Sequence, residues 1–209
     1  PDFPQDEEVC FFDDGNNTSY YRNGGISFQG YSVVNPKENI NDFDGKSYSP
    51  EGDLLCDCRG NNRGLQGSGK EYYENGDYYE GEYFNGKFDG FGKYFKKSRN
   101  NWGYVGNWKE GVPNGIGKEL TDSGDVCECF FVNGSANGDG NKYFFKNGDR
   151  YEGQMKDYMF HGNGSYYFKD GFRRMGTWEN NQEHGETRVY DPRGNLIRID
   201  RMVNGVLQN

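Results

Sequence analysis

"GDYYEGEYFNGKFDGFGKYF", residues 76–95, decides the fold. It sets eight aromatics (Tyr78, Tyr79, Tyr83, Phe84, Phe88, Phe91, Tyr94 and Phe95) among five glycines in twenty positions. Rings of that size call for burial, and that much glycine defeats a helix. In "YEGEY" the alternation of side chains puts Tyr79, Gly81 and Tyr83 on one face of a strand and Glu80 and Glu82 on the other. "GKYF" is the partner strand, and the Asn-Gly and Asp-Gly steps supply the positive φ of tight turns. The stretch reads as one β-hairpin. A glycine between two rings is expected to let an aromatic of the adjacent hairpin lie over bare backbone.

The pattern recurs along the chain. The pairs Gly67/Gly69, Gly90/Gly92, Gly115/Gly117, Gly138/Gly140 and Gly162/Gly164 follow one another at steps of 23, 25, 23 and 24. A fixed period in this range marks a repeat architecture. Upstream of each pair stands a second landmark, as in "YEGEYFNGKFDGFG" (79–92), "YVGNWKEGVPNGIG" (104–117) and "YEGQMKDYMFHGNG" (151–164). It decays to "CECFFVNGSANGDG" (127–140) and "RMGTWENNQEHGET" (174–187). A weaker copy begins at Phe28-Gln29-Gly30, with Asn39 and Asn41 in the glycine positions. Residues 1–27 are read as an acidic N-terminal cap or arm, or as a degenerate repeat. Residues 28–209 are the repeat body: 28–53 degenerate, 54–197 the main repeats, and 198–209 a truncated last copy. One hairpin alone is marginal in water, and stacked hairpins bury their rings against each other.

This pattern resembles the MORN family (membrane occupation and recognition nexus repeats). The positions carrying the resemblance are Tyr79, Gly81, Gly90, Gly92, Tyr104, Gly106, Gly115, Gly117, Tyr151, Gly153, Gly162 and Gly164. The resemblance implies an all-β fold, an elongated single-layer antiparallel β-sheet solenoid of consecutive hairpins. It also implies a non-catalytic scaffold for cytoskeletal structures or membrane contact zones. Departures fall at Cys127, Cys129 and Arg174 in the aromatic and glycine positions, and at Tyr158 and Asn181 in the turns. These units are expected to be less regular.

Composition agrees with a turn-rich β-protein. Hydrophobic residues make up 32% of the 209 positions and aromatics 17%, so Tyr and Phe supply much of the apolar surface. Gly numbers 33 and Pro 6, while the aromatics argue against disorder. The net charge of −9 is uneven: residues 1–60 hold twelve Asp/Glu against four Lys/Arg, residues 160–209 six against seven. An acidic chain is a poor ligand for nucleic acid or an anionic membrane. Lys93, Lys96, Lys97 and Arg99 form a local basic run, read as a solvated hairpin end or a lipid-headgroup contact. No apolar run is long enough to span a bilayer. The chain starts at Pro1, which leaves open a fragment or a processed product. Five cysteines do not read as a secreted disulfide framework, so a reducing, intracellular compartment is expected. The sequons at Asn16, Asn17, Asn133 and Asn163 argue only weakly for secretion, since such residues are common in turns.

The chemistry-bearing residues read mostly as structure. Cys56/Cys58 and Cys127/Cys129 follow "GD" turns in equivalent places, 71 residues apart. At about 4.8 Å per strand the pairs would lie on the order of 29 Å from each other and cannot share a zinc ion. They are read as packing, with metal or redox chemistry as the alternative. His161 and His184 each precede a glycine at one repeat position and are read as turn residues without a catalytic partner. The acidic residues of "GDYYEGE" and "GDRYEGQ" recur once per unit and are read as a solvated strand face and turn caps. The Gly-x-Gly pairs precede strand-like residues rather than the helix a phosphate loop requires. No catalytic residue, metal or cofactor is expected.

One row is read as functional: Tyr83, Trp108, Phe131, Met155 and Trp178, once per unit on one face. An open stretch of it would form a groove for a protein partner, such as an amphipathic helix. Packing between repeats is the alternative. Terminal repeats, with residues 190–209, are expected to pair in a homodimer. Phospholipid binding, or a role as accessory domain of a larger methyltransferase or lipid kinase, are the other readings.

Overall fold

The computed structural model describes residues 8–11, 16–21, 25–35, 40–49, 51–61 and 63–208. The chain divides into two compact units, residues 1–102 with 108–111 and residues 103–107 with 112–209. Apart from a 3-10 turn at Lys97–Arg99, the regular structure described is β-strand.

In the first unit the strands run β1 (Glu8–Phe11), β2 (Asn16–Tyr21), β3 (Ile26–Asn35), β4 (Ile40–Tyr48), β5 (Leu54–Asn61), β6 (Gly64–Leu65), β7 (Gly67–Tyr72), β8 (Tyr78–Phe84) and β9 (Lys87–Lys96). Each pairs antiparallel with its neighbour in sequence, except that β5 pairs with both short β6 and β7. Strand β10 is Asn101–Lys109. The second unit holds β11 (Val112–Leu120), β12 (Val126–Val132), β13 (Ser135–Ala136), β14 (Gly138–Phe144), β15 (Arg150–Lys156), β16 (Met159–Tyr167), β17 (Arg173–Glu179), β18 (Gln182–Tyr190), β19 (Leu196–Val203) and β20 (Val206–Leu207). Pairing again follows chain order, with β12 joined to both β13 and β14. The all-β antiparallel hairpin fold expected from the sequence is the fold observed. Within residues 1–27, β1 and β2 already form a hairpin, and β2 pairs with β3.

Alternation sorts the faces. On β8, Tyr79 and Tyr83 are buried while Glu80 and Glu82 are exposed. The opposite face carries charges set directly across the strands: Lys46–Asp57 at 3.7 Å, Lys70–Glu80 at 3.4 Å and Lys118–Glu128 at 2.9 Å. Such exposed pairs fix register more than they add stability.

The glycines serve a different ring from the one expected. Gly81 faces Gly92 across β8 and β9, and a Cβ at Gly81 would stand 2.6 Å from the hydroxyl of Tyr79. A Cβ at Gly92 would run into the same ring. The covering ring belongs to the same hairpin. Tyr104 lies likewise over Gly106 and Gly117, and Tyr151 over Gly153 and Gly164. The hydroxyls of Tyr79, Tyr104 and Tyr151 donate to the carbonyls of Glu82, Asn107 and Gln154, at 3.1, 3.0 and 2.8 Å. Close approach of a ring to bare backbone requires glycine at both crossing positions.

Two sets of latches join successive hairpins beyond the strand ladders. At the hairpin turns, the second turn residue donates its N–H to the preceding repeat: Gly86 to Leu65, Gly111 to Phe88, Gly134 to Pro113, Tyr158 to Ala136, Asn181 to Phe160 and Gly205 to Glu183, at 2.8–3.0 Å. Tyr158 and Asn181, with φ of 63° and 68°, adopt the left-handed conformation of the glycines they replace, so these turns are as regular as the others. At the opposite ends of the strands, Asp77, Asp125 and Asp149 each accept from the next hairpin. Their partners are the hydroxyls of Tyr94, Tyr143 and Tyr166 at 2.9–3.0 Å and the backbone N–H groups of Lys97, Lys146 and Lys169 at 2.8–2.9 Å.

The sequence frame slips in two places. Asn141, not Gly140, stands opposite Gly153. Fully buried, it accepts from the Phe130 N–H and donates to the Asn137 and Gly138 carbonyls. Near the N-terminus, Gly45 rather than Asn41 opposes Gly30, and Asn41 pairs with Val34; Asn39 lies outside the described residues.

Candidate functional site

The row Tyr83, Trp108, Phe131, Met155 and Trp178 is buried, with exposures of 4, 8, 0, 3 and 9%. It is not an open groove, and the packing alternative holds for it. In the first unit Trp108 stands edge-on to Tyr79 at 5.5 Å and donates its indole N–H to the Gly92 carbonyl at 3.2 Å. In the second unit Trp178 stands edge-on to Tyr151 at 5.4 Å and reaches the Gly164 carbonyl at 3.4 Å. Phe131 packs edge-on against Tyr104 at 5.1 Å. The repeats are cemented by these contacts: a Tyr covers its own glycines, and the next repeat's ring closes over the Tyr. Burial pushes the Tyr79, Tyr104 and Tyr151 hydroxyls well above their ordinary pKa, so they remain donors.

The second unit departs from this scheme where Arg174 takes a Tyr position. Nine residues on from each aromatic position, Tyr79 stacks on Phe88 at 3.7 Å and Tyr151 on Phe160 at 3.8 Å. The corresponding pair is Arg174 and Glu183, joined at 2.6 Å. Arg174 also reaches Asp200 at 3.1 Å, and Asp200 meets Arg198 at 3.0 Å. The side chains of Arg174, Glu183 and Asp200 are only 18, 12 and 7% exposed. Charges this little exposed must pair with each other.

Two depressions flank Arg174. One, of about 250 Å³, is lined by Tyr166, Phe168, Trp178 and Glu183 as well as Arg174. The other, of about 240 Å³, is lined by Phe168, Phe172, Val189, Ile197 and Arg174. Phe168 and Phe172 are 37 and 36% exposed. Of the predicted row, only Trp178 borders these openings. The site was missed because Arg174 and Glu183 read in sequence as wear in the repeat. The signal was there in their spacing, which matches that of the stacked Tyr and Phe.

Other candidates resolve as follows. Cys56–Cys58 and Cys127–Cys129 are each closed as a disulfide within one strand, not merely packed. His161 and His184 lie in β16 and β18 rather than in turns, and His184 stands 3.8 Å from Glu179. Among the described residues no cluster of three or more His, Cys, Asp or Glu is placed to hold a metal ion. Among them, too, no helix is long and apolar enough to cross a membrane.

Hairpins in chain order, latched at both strand ends and cemented by rings on glycines, define a β-hairpin repeat protein. The MORN repeat family model matches residues 62–78, 79–98, 104–126, 151–173 and 175–186. Over this span the chain belongs to the MORN-repeat proteins. The matched segments skip 127–150, the unit of Cys127 and Cys129, in which β12 pairs with the split strands β13 and β14. MORN repeats are generally non-catalytic modules, often found in protein or membrane interactions. No curated protein sequence matches the chain. Among solved structures, the wild-type TCP10 domain of Danio rerio CPAP is similar at 12% identity, over 90% of each chain, with a TM-score of 0.28.

Proposed function

We propose that the chain is a non-catalytic, intracellular scaffold that holds a protein partner, tethering a cytoskeletal or membrane-associated structure. The observation supporting this is the pair of aromatic depressions flanking Arg174, where Phe168 and Phe172 remain partly open. An amphipathic helix would set apolar side chains into them, and the charged cluster between them would orient its polar groups. The repeats supply rigid positioning. Proximity labelling with the tagged chain tests this against a Phe168→Glu, Phe172→Glu double variant. Loss of a specific set of neighbours, with the β-rich circular dichroism unchanged, is the expected result. An unchanged set would remove the proposal.

A second reading, self-association through the last strands, is favoured by their apolar exposure. Leu196, Ile197 and Ile199 are 49, 49 and 56% exposed, and Val206 and Leu207 are 62 and 55% exposed. Sedimentation velocity at tens of micromolar is expected to show a dimer that Ile199→Lys with Val206→Lys converts to monomer. A wild-type monomer at that concentration would end this reading.

A further inference from the structure

The Tyr79, Tyr104 and Tyr151 hydroxyls cap the carbonyl three residues further on. Cys56 and Cys127 occupy the corresponding positions and carry no hydroxyl. There the equivalent carbonyls, of Arg59 and Phe130, take the backbone N–H of Gln66 and Asn137 at 2.8 Å. Gln66 separates β6 from β7, and Asn137 separates β13 from β14, so both Cys units have a split partner strand. The space of the ring is filled by sulfur, with the paired Cα atoms 5.6 and 5.5 Å apart. The last unit is built the same way. Arg198 and Asp200 hold the two positions as an ion pair at 3.0 Å, and the Gln208 N–H caps Arg201 at 2.8 Å. A link from residue i to i+2 thus recurs in these three units, whereas Arg174, which also replaces a Tyr, is followed at i+2 by Gly176 and pairs with Glu183 and Asp200 instead. In the cysteine units that link is a disulfide, a bond that thiol–disulfide exchange can form and open.

We propose that the two Cys-x-Cys pairs are reversible dithiol–disulfide sites whose co-reactant is a small-molecule disulfide of the glutathione class. Their oxidation state sets how firmly the two split-strand units hold. In the forward step one cysteine thiolate attacks a sulfur of the small disulfide, forming a mixed disulfide and releasing one small thiol. The second cysteine thiolate then attacks its neighbour's sulfur, closing the intrastrand bond and releasing the second thiol. Two electrons and two protons pass from the cysteine pair to the small disulfide. The closed loop is only three residues, so the bond restrains the unfolded chain least and an excess of thiol can reopen it. Cys56 and Cys58 are 8 and 7% exposed, Cys127 and Cys129 0 and 5%, so exchange must pass through local opening and should be slower at the second pair.

The test equilibrates the whole chain in glutathione buffers of graded ratio, labels free thiols after acid quenching, and reads each peptide by mass. Each pair should pass from two labels to none as a two-electron couple, with Cys127/Cys129 the slower. On reduction, amide hydrogen exchange in β5 and β12 should quicken roughly three- to tenfold while β15 and β16 stay unchanged. Cys127→Ser with Cys129→Ser should give the reduced exchange pattern in β12 in every buffer. Pairs that remain dithiols at the most oxidising ratio, exchange in β5 and β12 indifferent to reduction, or a serine variant matching the oxidised wild type would each overturn the proposal. The wild-type titration decides the matter if the serine variant does not fold.

Discussion

Arg174 and Glu183 meet at 2.6 Å in the two positions that Tyr151 and Phe160 fill one repeat earlier as stacked rings. One geometric cell is closed by aromatic contact in one repeat and by charge in the next. The exchange works only with both members changed together, because a lone buried charge is costly.

Replacing Glu183 alone with Phe strands Arg174 against a ring, with Asp200 its remaining partner. This should cost about 3 kcal/mol in urea unfolding. The double variant Arg174→Tyr, Glu183→Phe should recover most of that loss, since Asp200 keeps Arg198 at 3.0 Å. A double variant as unstable as the single would mean that the two positions are not interchangeable.

Gly92→Ala drives a methyl into the Tyr79 ring and should cost about 1–3 kcal/mol, as overpacking generally does. Tyr79→Leu in the same chain should return part of it. Gly140→Asn is the contrasting change. Its φ of 74° suits Asn, and a Cβ there meets nothing within 4 Å. It should change the unfolding free energy by less than about 0.5 kcal/mol.

Glu110 holds a φ of 50° at the first turn position after Lys109, where the other turns use Asn85, Asn133, Asp157, Asn180 or Asn204. Glu110→Asn should stabilise the chain by about 0.5 kcal/mol, because Asn tolerates the left-handed region better. Tyr158→Gly should have the opposite sign despite relieving a φ of 63°. It removes a hydroxyl bonded to Glu119 at 2.8 Å and a ring 6.2 Å from Phe131. Thermal melts of the two variants should shift in opposite directions.

Asp77, Asp125 and Asp149 have pKa values below the ordinary carboxylate range. For Asp77 and Asp125, partial desolvation acts upward but is outweighed by the backbone N–H of Lys97 or Lys146 and the tyrosine hydroxyl. For Asp149 the Lys169 N–H leads. A folded pKa below the unfolded value of 3.8 gives stability that is complete above pH 3.8 and lost as pH falls through the folded value. Unfolding midpoints should therefore fall as the pH is taken below about 4. Asp125→Asn with Asp149→Asn should flatten that drop while keeping acceptors for both latches. An unchanged acid slope would show that other carboxylates carry it.

Much of this was legible in the residues. "YEGEY" declared a strand with rings on one face, and the fixed glycine period declared tandem hairpins, because both follow from local geometry and chain spacing. The functional row was legible only as a row. Whether Trp108 or Phe131 faces solvent depends on what the neighbouring hairpin lays over it. The slip from Gly140 to Asn141 was hidden as well, since a strand break at Asn137 moves register by one residue without altering the glycine count.

The sequence by itself determined the repeat, the strand faces and the turns, all of which are set by neighbours a few residues apart. Only the tertiary structure decided that each Tyr covers its own glycines, that aspartates latch one hairpin to the next, and that Arg174 finds both Glu183 and Asp200. Those contacts join residues up to 26 positions apart, as Arg174 and Asp200 are, whose meeting is fixed by strand register and packing rather than by local preference.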